Sequence, residues 1–234
     1  MKKISKKYSE KRQLIEKGKL YDPKQAVALV KQTSWAKFDE TVDMAIKLGI
    51  DPKKHSIRGT VMLPGGSGKT RKIAVICKSD KVKEAEAAGA DFVGSDDLVK
   101  KIQEGFLGFD TLIVTPDMMG AVGRLGKTLG PKGMMPNPKT GTVTMELTKT
   151  VKDFKGGKVE FKMDKTSALH MVLGKISFGE ESLLGNLQAA MSAIMSIKPT
   201  GLKGNYLESI TLSSSMGPAV KISPKIFADR AGAE

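Results

Sequence analysis

The residues that could do chemistry are few, and the first of them sit in "LPGGSGKTRK", residues 63–72. Its Gly68-Lys69-Thr70 matches the close of a triphosphate-binding loop. That loop reads G-x-x-x-x-G-K-[ST], with its first glycine five residues before the second. Here Leu63 stands at that position. The loop also needs a helix starting at the Lys-Thr pair, whose free amides face the phosphates. The chain instead enters Ile73-Ala74-Val75-Ile76-Cys77, a β-branched apolar run that reads as a buried strand. Strand, glycine loop, strand is the wrong order for a phosphate cradle. His55, His170 and the single cysteine, Cys77, do not assemble a zinc site of the usual ligands. Ser67 lacks the second glycine of a G-x-S-x-G elbow, because Lys69 occupies that place. Most carboxylates stand among lysines, as in "KVKEAEAAGA", and read as solvated helix faces. The residues point to no enzyme, no metal and no cofactor.

Binding chemistry is better represented. The 234 residues hold 39 Lys plus Arg against 25 Asp plus Glu, a net charge of +14, which marks a polyanion partner. The excess is uneven. Residues 1–24 carry nine basic and three acidic side chains, and residues 118–145 carry Arg124, Lys127, Lys132 and Lys139 with no acid. Aromatics are only 5%, too few for a sheet platform that stacks several bases on exposed rings. "GRLG" (Gly123–Gly126) imitates an RNA-clamping G-x-x-G loop, but glycines at 120, 123, 126 and 130 fit close packing of a helix better. "SSSMGPAV" (Ser213–Val220) joins three hydroxyls, an unbranched apolar side chain and Gly-Pro. Such a loop lets backbone approach RNA sugar and phosphate closely, although an ordinary turn between strands has the same composition. His170 alternates with apolar neighbours and reads as a structural or an RNA-facing hydrogen bonder.

The elements that would position these residues follow from periodicity. A basic helix is expected from Ser5 to Lys17, ended by Gly18. A second starts at Asp22-Pro23, an N-cap followed by proline at the first helical position. From Phe38 the period becomes two, with Val42, Met44, Ile46 and Leu48 forming one face of a half-buried strand. A second strand runs from Ile57 to Leu63. Beyond the glycine loop, strands (73–77, 91–93, 111–114) alternate with helices (81–88, 95–103 and a single 117–129), which implies a parallel sheet with βαβ crossovers. Then Val159–Met163 and Leu169–Ile176 read as a hairpin around Asp164–Ser167. Leu183 to Ile197 recur at helical spacing until Pro199, and Tyr206–Leu212 and Ala219–Ile222 are the last strands. No apolar run approaches the ~20 residues of a membrane span, and no apolar segment follows the basic start, so neither a membrane nor a secretory signal is expected. One cysteine suits a reducing cytosol.

"KFDETVDMAIKLGID", "RGTVMLPGGSGK", "EAAGADFVG", "FDTLIVTPDMM", "LGPKGMMPNPKTGTVT", "DKTSALHMVLGKISF" and "SSSMGPAV" occur in this order along nearly the whole chain. Together they resemble the uL1 family of large-subunit ribosomal proteins, in its bacterial form. The resemblance implies an α/β chain of two domains. Domain I is a discontinuous split β-α-β (α+β sandwich) unit, 1–66 and 159–234; domain II, 67–158, is an inserted Rossmann-like βαβ unit with a parallel sheet. Glycines at both crossings, Gly65, Gly66 and Gly68 on one side and Gly156 and Gly157 on the other, fit a hinge or two unrelated tight turns.

The resemblance carries RNA contacts onto Phe38, Glu40 and Thr41, onto Lys165, Thr166 and His170, and onto Ser213, Ser215, Met216 and Gly217. It implies 23S rRNA of the L1 stalk, the 50S subunit, E-site tRNA and the mRNA of its own operon as partners. It also implies a chain that is cytoplasmic on the ribosome and monomeric off it, with roles in stalk movement, release of deacylated tRNA and translational repression. Two positions depart from the family pattern. Ser215 stands where members often have Thr, which keeps a hydroxyl and loses a methyl. Gly66 stands where many carry His. The rival readings are an extraribosomal RNA-processing factor with the same domain pair and a nucleotide-binding enzyme.

Overall fold

A computed structural model of the chain describes residues 5–199, 202 and 204–228. Its contacts divide it into two compact units. One is discontinuous, running up to Gly68 and resuming at Val159; the other is the inserted stretch Lys69–Lys158. The first segment of the discontinuous unit carries α1 (Lys6–Gln13), α2 (Pro23–Thr33), β1 (Thr41–Leu48) and β2 (Arg58–Met62). The inserted unit holds β3 (Ile73–Ile76), α3 (Val82–Ala87), β4 (Phe92–Gly94), α4 (Asp96–Gln103) and β5 (Thr111–Val114), then α5 (Met119–Gly123), α6 (Gly126–Leu129) and α7 (Leu147–Lys155). The chain returns through β6 (Lys158–Lys162), β7 (Ala168–Lys175), α8 (Glu180–Ser196), β8 (Leu207–Ser214), β9 (Val220–Ile222) and α9 (Lys225–Ala228). This is a mixed α/β protein with a four-stranded antiparallel sheet, a three-stranded parallel sheet and a two-stranded sheet.

In the discontinuous unit the antiparallel sheet has the order β7-β1-β8-β9. Period-two patterning places Val42, Met44, Ile46 and Leu48 of β1 on the core side, where each is almost wholly buried. Against them lie Ala26, Val27 and Val30 of α2 and Leu183, Leu187, Ala190, Met191 and Ile194 of α8. A smaller sheet pairs β2 with β6. Gly59 lets it close on the end of α8, since a Cβ there would meet Ile197 Cδ1 at 2.5 Å and Phe161 Cζ at 2.9 Å. The expected hairpin between 159–163 and 169–176 is therefore not formed. β6 takes β2 and β7 takes β1, and the two arms meet just at the turn, through the bridge Met163–Leu169 and the bond from the Asp164 amide to the Ala168 carbonyl at 2.8 Å. The reason is tertiary: the long alternating strand β1 offers β7 a far longer ladder than β6 could.

In the inserted unit β4-β3-β5 pair in parallel, and β3 and β5 are buried along their whole length, as strands covered on both faces must be. The single helix expected over 117–129 is broken. It becomes a 3₁₀ turn at Pro116–Met118 and the short α5 and α6, with Arg124 and Leu125 between them. Close packing does not explain its glycines, because a Cβ at Gly120, Gly123 or Gly126 would meet nothing within 4 Å. Three glycines in thirteen positions cost a helix about 1 kcal/mol each, and here they divide it. A further helix, α7, was not foreseen at all. Its Leu147, Thr150, Val151 and Phe154 are buried. Asp22 and Ser95 stand at the expected N-cap positions of α2 and α4, but neither side chain makes a cap bond. The first helix stops at Gln13 rather than Lys17.

Each glycine crossing has a local structure. Gly66, Gly68 and Gly157 have φ of +73°, +69° and +110°, and Gly156 is the C-cap of α7. The first crossing is held by Asn186 of α8, which is fully buried. Its Oδ1 accepts from the Gly65 amide at 2.8 Å, while its Nδ2 donates to the carbonyls of Gly66 at 3.0 Å and Leu173 at 2.7 Å. Asn186→Ala leaves these groups without partners and should cost about 2 kcal/mol. A urea titration reads the effect as a lower midpoint with an unchanged slope. An unaltered midpoint would mean that the turn at Gly65–Gly66 holds itself.

Candidate nucleic-acid interface

β1 is the spine of the site. Its register places Asp43 opposite Val172 and Ser213, Ala45 opposite His170 and Thr211, and Lys47 opposite Ala168 and Ser209. β9 adds Lys221 opposite Thr211. With a period of two these rows share the face turned away from the helices. It is a face of small, hydroxylated and basic side chains around one acid, Asp43.

At the start of β1 a carboxylate organises two loops. Glu40 is 1% exposed. Its Oε1 accepts from the amides of Trp35 at 3.0 Å and Ala36 at 2.8 Å, and its Oε2 accepts from the Met216 amide at 3.0 Å. Burial pushes this carboxyl up, but hydrogen bonds from the Ser214 hydroxyl and from the amides of Met216, Ala36 and Trp35 outweigh it and hold the group below its ordinary value. Ser215 adds a second tie, its Oγ accepting from the Thr41 amide at 3.1 Å. The Gly217 amide donates to Ser214 Oγ at 3.1 Å, and a Cβ on Gly217 would meet that oxygen at 2.4 Å, so a side chain there would displace the hydroxyl that holds this turn.

The result is a fixed pair of loops that leaves two large apolar side chains in solvent. Phe38 is 58% exposed and Met216 is 47% exposed. A register shift in β7 at Val42/Asp43 puts Lys175 opposite Thr41. From there Lys175 Nζ donates to Thr41 Oγ1 at 2.9 Å and to the Asp39 carbonyl at 3.2 Å. Asp39 in turn accepts from the Ser177 amide and hydroxyl, at 3.1 Å and 2.8 Å.

The other end of β1 carries Lys165 and Thr166. Asp164 shapes their turn, its Oδ1 accepting from Thr166 Oγ1 at 2.7 Å and from the amides of Thr166 and Ala168, both at 2.8 Å. The Thr166 hydroxyl, before the backbone amides, draws the Asp164 carboxyl below its ordinary value. Ser167 adopts φ +61° and its hydroxyl donates to the Ile50 carbonyl at 2.6 Å. Lys47 Nζ donates to the Thr166 carbonyl and closes the turn over the strand. Between the two ends, Asp43 faces His170 and Lys175. Burial raises its carboxyl, and its neighbours Lys175 and His170 oppose the rise.

The ten expected contact residues thus form two groups joined by one face. Phe38, Glu40, Thr41, Ser213, Ser215, Met216 and Gly217 gather at the head of β1. Lys165 and Thr166 stand about 20 Å away at its tail, with His170 exposed between. Glu40 differs from the rest. Its carboxylate is enclosed and spent on its own chain, so it positions the loops and offers nothing outward. Sequence reasoning missed Asp39, Asp164, Lys175 and Ser214. Asp39 and Asp164 lie inside quoted motifs and could have been found as Asx-type turn formers; Lys175 depends on a bulge with no sequence mark.

Other candidates gather nothing. After Thr70 no helix begins before β3, so the Gly-Lys-Thr faces no helical amides. Among the described residues no group of three or more His, Cys, Asp or Glu is placed to hold a metal ion, and no helix is long and apolar enough to cross a membrane.

Known proteins carry the same sequence pattern. The model of the ribosomal protein L1p/L10e family matches residues 30–218. The chain is 50% identical over 233 residues to the large ribosomal subunit protein uL1 of Thermobifida fusca (strain YX), covering 99% of each. The matched span takes in both loops clamped by Glu40, the Asp164 turn and the whole inserted unit, and the chain belongs to the ribosomal protein L1p/L10e family.

Proposed function

We propose that this protein grips 23S rRNA with the outward face of its antiparallel sheet and forms the mobile stalk beside the tRNA exit site. As a member of its family it is a large-subunit ribosomal RNA-binding protein, not an enzyme. The single observation behind the choice of face is the pair of loops locked by Glu40, which present Phe38 and Met216 to solvent amid serine and threonine hydroxyls. Hydroxyls and close backbone reach ribose 2′-OH groups and phosphates, and the two apolar side chains supply packing surface against sugar or base. Lys165, Thr166 and His170 extend the contact along the strand. In this reading the glycines at Gly65–Gly68 and Gly156–Gly157 give the two crossings their backbone freedom, and the basic inserted unit meets exiting tRNA. The same face would bind the mRNA of the protein's own operon and repress it.

Deleting 68–157 and rejoining the glycines tests where the rRNA site lies. The shortened protein should retain affinity for the stalk rRNA fragment within about tenfold in filter binding. A loss of ~100-fold, about 2.7 kcal/mol, in a protein that is still folded by circular dichroism would move the main site to the inserted unit. Sedimentation of the full chain should show it comigrating with 50S particles at about one copy each.

A further inference from the structure

Beyond the end of the Ser213–Gly217 loop the structure holds a cleft of about 320 Å³, lined among others by Tyr8, Arg12, Lys17, Pro218 and Lys221. It is a built feature. On one side α1 is tied down, with Lys11 Nζ donating to the Gln32 carbonyl at 2.9 Å and Lys7 lying 5.5 Å from the Trp35 ring centroid. On the other side the segment after α1 is strapped along β9. Tyr21 bridges to Ile222 in parallel, its amide donates to the Lys221 carbonyl at 3.0 Å, and its hydroxyl accepts from the Glu16 amide at 2.9 Å. Lys19 is neutralised by Glu16 at 2.7 Å. Arg12, Lys17 and Lys221 are exposed and form no ion pair among the described residues. Three uncompensated cations around one walled cleft favour a polyanion.

The cleft is continuous with the proposed RNA face. Pro218 directly follows the Met216-Gly217 turn, and Lys221 stands in the same cross-strand row as Thr211, Ala45 and His170. We propose that this cleft is a second phosphate-binding subsite, in which Arg12, Lys17 and Lys221 take backbone phosphates of the RNA strand that leaves the Ser213–Gly217 loop. The subsite rests on the reading of the sheet face as the rRNA site. It gives the basic N-terminal helix a defined role: α1 lengthens the track along the RNA backbone and adds salt-dependent affinity without reading sequence.

The test is filter binding of the full chain to the stalk rRNA fragment at several salt concentrations. Arg12→Gln, Lys17→Gln and Lys221→Gln are combined in one variant. Affinity should fall by about tenfold, and the slope of log K against log salt should shrink by about two to three. A control carries Lys83→Gln, Lys100→Gln and Lys101→Gln, which removes three exposed charges from the inserted unit. The control should keep at least most of the wild-type slope. An equal loss in both variants would mean a long-range field and no subsite. A triple variant with wild-type affinity and slope also overturns the proposal, while wild-type binding measured beside it leaves the sheet-face reading intact. Failure of the wild-type protein to bind the fragment would instead overturn that reading. Since all three side chains are exposed, thermal unfolding should match wild type, and Arg12→Lys alone, which keeps the charge, should retain most of the wild-type slope.

Discussion

Glu40→Ala should lower the unfolding free energy by about 4 kcal/mol, a large share of what holds a domain of this size together. The cost has a definite source. Removing the carboxylate strands the amides of Trp35, Ala36 and Met216 where little water reaches them, and charge-assisted hydrogen bonds are the stronger kind. Affinity for the rRNA fragment should also drop about tenfold, because the Met216 loop must then be ordered at the moment of binding. The same group sets a pH dependence. Its folded-state value lies below the ordinary 4.5, so its contribution is fully present above that pH and is lost as the pH falls through the folded value. Glu40→Gln should flatten this acid limb. Urea midpoints measured from neutral pH downward check both statements, and a wild-type midpoint for Glu40→Ala at neutral pH would show that the clamp does not hold the loops.

Met216→Asp should weaken rRNA binding by ~10²-fold or more, about 3 kcal/mol, with little change in thermal stability. The side chain is 47% exposed and only its backbone amide is bound, so the fold does not depend on it. In the complex the same position would face sugar and phosphate, where a carboxylate loses its hydration and meets like charge. Met216→Leu, which keeps the apolar bulk, should bind nearly as well as wild type. Filter binding of both variants separates packing from charge. Normal affinity for Met216→Asp would remove Ser213–Gly217 from the interface.

Much of this site was legible in the sequence, for physical reasons that differ from element to element. The alternation of β1 and the apolar stripe of α8 arise from burial on one face, and a period survives in sequence whatever it packs against. The partner of β6 does not survive. Two strands joined by five residues look like a hairpin, and only the presence of a longer edge, β1, decides otherwise. α7 was hidden by its composition: threonine and valine favour strands, and the buried Leu147, Thr150, Val151 and Phe154 show that packing overrode that preference. Glu40 stands inside the "KFDET" motif, but its enclosure by backbone amides has no mark there. A glutamate beside exposed Phe38 and Asp39 reads as surface, and nothing local says that a loop 176 residues on joins the nearby Trp35 and Ala36 amides to enclose it.

The bond from the Met216 amide to Glu40 spans 176 residues. At synthesis rates of about 5–20 residues per second, about 10–35 s separate the making of the carboxylate from the making of the amide it holds. Through that interval the entire inserted unit is made, and it holds a core of its own. The Trp35–Ala36 turn meanwhile has its anchor but lacks the loop that seals it from water. A chain that stops before Met216 keeps Glu40 and the Trp35–Ala36 turn and still cannot form this bond. Closure of this clamp therefore waits until the chain has been made through Met216.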